Sequence, residues 1–197
     1  PPRPIMTNHF RFFVAIALCL AVTSCGGGDD EASNNETTAS FAFDTLQSLL
    51  LPKAPEGAIT ITEARKNPTP GTKVIVSGKV MGNDNPIIQS RALLTLGDPT
   101  RLDSCDLKPG DECPTPWDVC CADPDVVRAS IATIQVVDEN GKPVKAGLRG
   151  IGGLQELSKL IVIGEVANGS NANNFLVNAT GFHVIASKAA GSNTTKK

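Results

Sequence analysis

The sequence has no tyrosine, one tryptophan and two histidines. Beyond Cys25 the only aromatic residues are Phe41, Phe43, Trp117, Phe175 and Phe182. A surface that stacks successive bases needs several aromatics on one face, and this chain has few to offer. Positive charge is scarce as well. The 18 Lys and Arg, less Arg3 and Arg11, leave 16 after Cys25 against 20 Asp and Glu, a net charge of −4 for that part. A protein built around phosphate contacts carries the opposite balance, so nucleic acid is a poor candidate partner. No nucleophile elbow, phosphate loop, metalloprotease helix or dinucleotide fingerprint is present, and no catalysis is expected. What remains, 41% hydrophobic and 19% charged, suits one modest globular domain with tails.

The N-terminal part reads as an address. From Met6, which we take as the true start, the chain runs MTNHFRFFVAIALCLAVTSCGGGDD. Arg11, with His9 nearby, gives a short positive region. The apolar run Phe12–Val22 has the length of a signal-peptide core and falls short of the roughly 20 residues of a spanning helix. It ends in Val22-Thr23-Ser24-Cys25: an aliphatic residue, two small ones, then Cys. This resembles the lipobox of bacterial lipoproteins. The resemblance implies cleavage after residue 24, diacylglycerol on the Cys25 thiol, acylation of the new amino terminus and residence in the bacterial cell envelope, facing the periplasm or the cell surface. Two or more acyl chains anchor a protein stably. Residues 25–55 then form a lipidated, small and polar tether. It includes Phe41–Leu51, whose apolar residues Phe43, Leu46, Leu49 and Leu50 have helical spacing and which Pro52 ends.

Residues 56–187 hold the folded domain, and 188–197 are a polar tail. Ile59–Lys66 reads as an extended lead followed by a Thr-capped helical turn. Thr72–Val80 alternates, with Val74, Val76 and Val80 on one face and Gly78 as a bend. Ala92–Leu96, Ala129–Val137, Leu160–Val166 and Phe175–Ile185 read as four further strands. In the third, Ile131, Thr133, Gln135 and Val137 share one side. Asp138-Glu139-Asn140-Gly141 is a tight turn, and Gly150–Ser158 a short helix. The expected class is all-β. The order of three strands, short helix and two strands resembles the OB-fold, a five-stranded Greek-key barrel with a helix between strands three and four. The stretches ITITEARKNPTPGTKVIVSGKV and LSKLIVIGEV…FLVNATGFHVI carry that likeness. Exported proteins with OB-like domains include the haem chaperone of cytochrome c maturation. That activity does not transfer, because His183 stands in no haem-attachment context and reads as an ordinary strand histidine.

Between strands two and three lies an insertion, residues 98–129, with Cys105, Cys113, Cys120 and Cys121. With Cys19 removed in the signal and Cys25 lipidated, four thiols remain in an oxidising compartment. The favoured reading is two disulfides. Adjacent cysteines rarely pair with each other, so Cys120 and Cys121 would pair with Cys105 and Cys113 in one of two ways. Each bond would restrain a long Asp- and Pro-rich loop by about 2–4 kcal/mol. The rival is a thiolate metal site for Zn2+ or Cu(I), although no Cys-x2-Cys pair is present. A redox thiol pair is the third option, and it lacks Cys-x-x-Cys. Trp117 is either an anchor for a ligand or partner or the packing cap beneath the loop. Asp118, Asp123 and Asp125 lack the spacing of a calcium loop and read as turn residues.

The expectation is therefore a membrane-anchored binding module for a protein, glycan or small molecule. The alternatives are a metal or redox carrier using the four cysteines, and nucleic-acid binding by fold analogy alone.

Overall fold

The computed structural model describes residues 40–110 and 112–185. The expected signal, Cys25, residues 26–39 of the expected tether and the tail lie outside the described residues. Residues 40–48 are helical (α1). The remaining elements are β1 (Ile59–Thr60), α2 (Ile61–Ala64), β2 (Lys73–Val80), β3 (Leu93–Gly97), α3 (Pro124–Ser130), β4 (Ile131–Gln135), β5 (Lys159–Val166) and β6 (Leu176–Ile185). Single 3-10 turns lie at Cys105–Leu107 and Ile151–Gly153.

Five strands close on themselves. β2 pairs with β3, β3 with β4, β4 with β6, β6 with β5, and β5 returns to β2. The β4–β6 pair is parallel and the other four are antiparallel. This is the strand order of an OB-like barrel, mostly β with a few short helices. Gly78 lets β2 serve two neighbours. β2 lies against β5 from Lys73 to Lys79 and against β3 at Lys79 and Val80. A Cβ at Gly78 would stand 2.6 Å from Leu96 Cδ2 and 2.9 Å from the Gly97 carbonyl, so the coiling strand needs glycine there.

The inward-facing residues form one core. Val76, Val80, Leu94, Ile134, Val162 and Phe182 are among its buried members. Burying each such side chain stabilises the fold by about 2 kcal/mol. Along β4 and the two residues after it the core face is Ala132, Ile134 and Val136, so Ile131, Thr133, Gln135 and Val137 share the opposite side and are half-buried. The gap left inside the barrel is about 10 Å³, at the lower limit for a single water molecule. The barrel is thus a filled scaffold.

The outer attachments follow their sequence signals. Thr60 caps α2, its hydroxyl accepting the Glu63 N–H at 3.2 Å. Leu46 of α1 is fully buried. The chain after α1 runs beside β6, with hydrogen bonds from Leu51 N–H to the Phe182 carbonyl and from Phe182 N–H to the Leu49 carbonyl. His183 Nδ1 donates to the Leu51 carbonyl at 2.9 Å, a satisfied strand histidine. Arg65 reaches from the end of α2 to the carbonyls of Ile131 and Ala172, its guanidinium 5.8 Å from the centroid of the Phe175 ring.

Two elements differ from the sequence expectation. The helix expected at Gly150–Ser158 is only the 3-10 turn at Ile151–Gly153. Gly150, Gly152 and Gly153 all have positive φ, and a right-handed helix cannot run through them. The third strand begins at Ile131, later than Ala129, because α3 occupies the residues before it. Asp123 caps α3 by accepting the N–H groups of Asp125 and Val126, and Pro124 fills its first turn. Among the described residues no helix is long and apolar enough to cross a membrane.

Candidate functional site

The insertion folds as a lobe on the outside of the barrel. Its two ends meet: Asp98 N–H donates to the Ser130 carbonyl at 2.9 Å. The Asp98 carboxylate is fully buried. It accepts Thr62 N–H at 3.0 Å, Thr100 N–H at 2.9 Å and the Thr100 hydroxyl at 2.7 Å. Burial alone would raise the Asp98 pKa, but these hydrogen bonds outweigh it and hold the group below its ordinary value.

Alternation along β2 puts Lys79 on the outer face, between the inward Gly78 and Val80, and Met81 continues that face. The lobe covers both. Met81, Leu102 and Val119 form a second, separate core, with Trp117, Ala122, Val126, Val127 and Ile131 packed against it. Lys79 Nζ donates to Ser104 Oγ at 2.7 Å and to Asp106 Oδ1 at 3.1 Å. Ser104 in turn donates to Asp106. Trp117 is half-buried and its Nε1–H donates to the Asp84 carbonyl at 2.9 Å, while its own carbonyl accepts Gly82 N–H at 3.2 Å.

A two-rung backbone ladder sets the cysteines. Cys105 N–H donates to the Asp118 carbonyl and Asp106 N–H to the Pro116 carbonyl, each at 2.9 Å. This aligns the turn carrying Cys105 with the segment leading to Cys120. Cys113 folds over the same point, its Sγ 3.4 Å from Thr115 Oγ1. The Sγ atoms of Cys105, Cys113 and Cys120 lie within 4.8 Å of one another, so these three cysteines can hold a metal ion. Cys105 is buried, Cys113 half-buried and Cys120 exposed, so the cluster opens outward through Cys120. Cys121 is exposed, with its Sγ 3.9 Å from that of Cys120.

The sulfurs expected to pair therefore converge without bonding. Cys105 and Cys120 stand 3.8 Å apart, against about 2.05 Å in a disulfide. No disulfide is formed among the described residues. The thiols are not equivalent. Hydrogen bonds with the Thr115 side chain and backbone lower the Cys113 pKa. At Cys120 the hydrogen bond with Cys105 favours the thiolate, but neighbouring Cys121, burial and Cys113 outweigh it and raise the pKa.

Beside the cluster lies an open groove of about 620 Å³ between barrel end and lobe. Val119, Ala122, Val127 and Ile131 give it an apolar floor, and Asp84, Asp118, Cys120 and Arg128 stand at its sides. Asp118, Asp123 and Asp125 do not gather around a common point: Asp118 accepts Val119 N–H, Asp123 caps α3, and Asp125 pairs with Arg128 at 2.7 Å.

The sequence had singled out every cysteine of the cluster and Trp117. It had missed Lys79, Met81 and Asp98. Lys79 and Met81 continue the outward register of β2, but the insertion that covers them comes only after β3, so no local pattern marks them. Comparison with protein-family models, with curated proteins and with solved structures finds no match to this chain.

Proposed function

We propose that this chain is a lipid-anchored protein of the bacterial cell envelope that binds a ligand without chemical turnover, using the lobe and the groove beside it. The observation that carries the reading is the contrast between the two cavities. The barrel interior is filled to about 10 Å³, whereas the groove at its edge measures about 620 Å³, within the range of small-molecule sites. An apolar floor with a few polar groups at the rim suits a small amphipathic molecule, a glycan or a peptide side chain. Nucleic acid suits it less, because Asp84 and Asp118 stand there against Arg128 alone.

Anchoring is tested by metabolic labelling with palmitate: the wild-type chain takes up label and Cys25→Ser does not. Full labelling of Cys25→Ser, or none of the wild type, removes the lipoprotein reading. Ligand binding is tested by probing glycan and peptide arrays with the full chain and with Arg128→Glu. A wild-type signal that the variant loses supports the groove; signals that the variant keeps unchanged place binding elsewhere.

A second reading is favoured by the convergence of Cys105, Cys113 and Cys120. On this reading the lobe carries a thiophilic metal, Zn2+ or Cu(I).

A further inference from the structure

We propose that Cys105, Cys113 and Cys120 form a three-thiolate seat for a single Cu(I) ion, and that Cys121 is the thiol through which the ion enters and leaves. This deepens the metal reading of the lobe and rests on it.

The donor set decides the metal. The cluster consists of three sulfurs, with no imidazole or carboxylate among the groups that meet there in the described residues. Structural Zn2+ takes four ligands in a tetrahedron. Cu(I) is a soft d10 ion that prefers thiolates, and three of them in a plane satisfy it. The spacing admits a metal without choosing between geometries: bonds of about 2.3 Å put trigonal ligands about 4 Å apart and tetrahedral ones about 3.8 Å apart, and Cys105 and Cys120 are 3.8 Å apart, so the number of converging sulfurs is what favours Cu(I). Sulfurs held around an ion cannot join to one another, so occupancy and disulfide formation compete for the same atoms.

The protein holds the seat open in advance. The backbone ladder from Cys105 and Asp106 to Asp118 and Pro116 fixes two arms of the site relative to each other. Lys79 clamps Ser104 and Asp106, the residues on either side of Cys105. Loading is a ligand substitution with no electron transfer: the bonds from Cu(I) to its donor ligands, bicinchoninate nitrogens in the test below, are replaced by bonds to three sulfurs, three thiol protons leave to solvent, and copper stays in the same oxidation state.

Cys121 stands outside the triangle and is exposed, 3.9 Å from the one exposed member. A fourth thiolate so placed can bind the ion as Cys113 or Cys105 lets go, which gives an associative route in and out.

The test uses the full chain in detergent, reduced and free of oxygen, with Cu(I) delivered from a bicinchoninate complex and read by native mass and competition. The expected result is one Cu(I) per chain. Cys113→Ser, a change at a half-buried position that far-UV dichroism can show to be folded, lowers affinity by more than the roughly 100-fold that loss of an outer hydrogen-bond partner brings. Cys121→Ser keeps the affinity within about threefold and slows transfer to a competing thiol chelator. If Cys121→Ser weakens binding as much as Cys113→Ser, or the chain prefers one Zn2+ on all four sulfurs, the three-thiolate inference falls and the metal reading stands. If the chain isolated without reductant lacks four hydrogens and has no reactive thiol, the cysteines are paired and both fall.

Discussion

The Lys79 ammonium lies 3.1 Å from Asp106 Oδ1 and 2.7 Å from Ser104 Oγ, with its side chain only 9% exposed. One member of the pair belongs to a barrel strand and the other to the lobe, so this contact joins the two cores. Removing one partner of a buried ion pair leaves the other unpaired, which costs about 3–5 kcal/mol when both are dry. Asp106 is partly hydrated, and a smaller loss is appropriate.

Lys79→Ala should therefore destabilise the protein by about 2–3 kcal/mol. Lys79→Met, which keeps the packing and leaves Asp106 to water, should cost about 1 kcal/mol. Equal losses in urea unfolding would show that the ion pair, and not the packing of the lysine stem, carries the contact.

Trp117 is the only tryptophan and it packs in the second core against Met81, Leu102 and Val119. Its fluorescence thus reports the lobe, while far-UV dichroism reports mainly the barrel. In the wild type the two transitions should coincide in urea, as two-state unfolding requires. In Met81→Ala, which removes the centre of the small core at a cost of about 2–4 kcal/mol, the fluorescence transition should move to lower urea than the dichroism transition. Coincident transitions in that variant would mean that the lobe has no independent core.

How much of this could be read from the chain depends on what each residue answers to. The five strands follow from short β-branched runs such as Val74-Ile75-Val76 and Ile161-Val162-Ile163 bounded by turn residues, and closure follows from their order. The turn capped by Thr60 was legible because a cap is a local signal. The α3 helix was equally local, announced by Asp123-Pro124, but Asp123 and Asp125 read as turn residues of the insertion, and the apolar run through Ile134 drew Ala129 and Ser130 into the strand. The triple glycine at 150–153 argued against a helix, and Leu154 and Leu157 argued for one. The glycines prevailed because backbone geometry limits what burial can reward. Lys79 could not be read at all without knowing what covers it. A lysine at an outward strand position is ordinarily solvated, and only the lobe makes it a buried partner.

Asp98 gives a pH dependence of definite sign. Its folded pKa is lowered by the hydrogen bonds from Thr62 and Thr100. Such a group contributes stability that is present above the unfolded carboxylate pKa of about 3.9 and is lost as pH falls through the folded value. Stability should thus decline on acidification below about pH 5, and Asp98→Asn should lower stability at pH 7 and flatten that decline. Because the same carboxylate ties α2 to the neck of the lobe, protection of the Thr100 and Thr62 amides from hydrogen exchange should fall in the variant. An acid limb of the same slope in both proteins would remove Asp98 as its source.

The barrel's closure can be tested at Gly164. The β5–β6 ladder shifts register between Ile163 and Gly164, and a Cβ at Gly164 would stand 2.3 Å from the Asn178 carbonyl oxygen and 2.8 Å from Val177 Cγ1. The first is backbone in the neighbouring strand, so no rotamer change can relieve it, and the strands themselves must separate. Gly57 makes a suitable reference, since it has φ of +79° with nothing within 4 Å of a Cβ, and alanine there meets only conformational strain of about 1 kcal/mol. Gly164→Ala should cost about 3 kcal/mol, the upper range for overpacking, and should expose the amides of Val177 and Asn178 to hydrogen exchange. If Gly164→Ala and Gly57→Ala lose stability equally, then the close approach at the bulge is not what holds β5 and β6 together, and the ladder on either side of it carries the pairing.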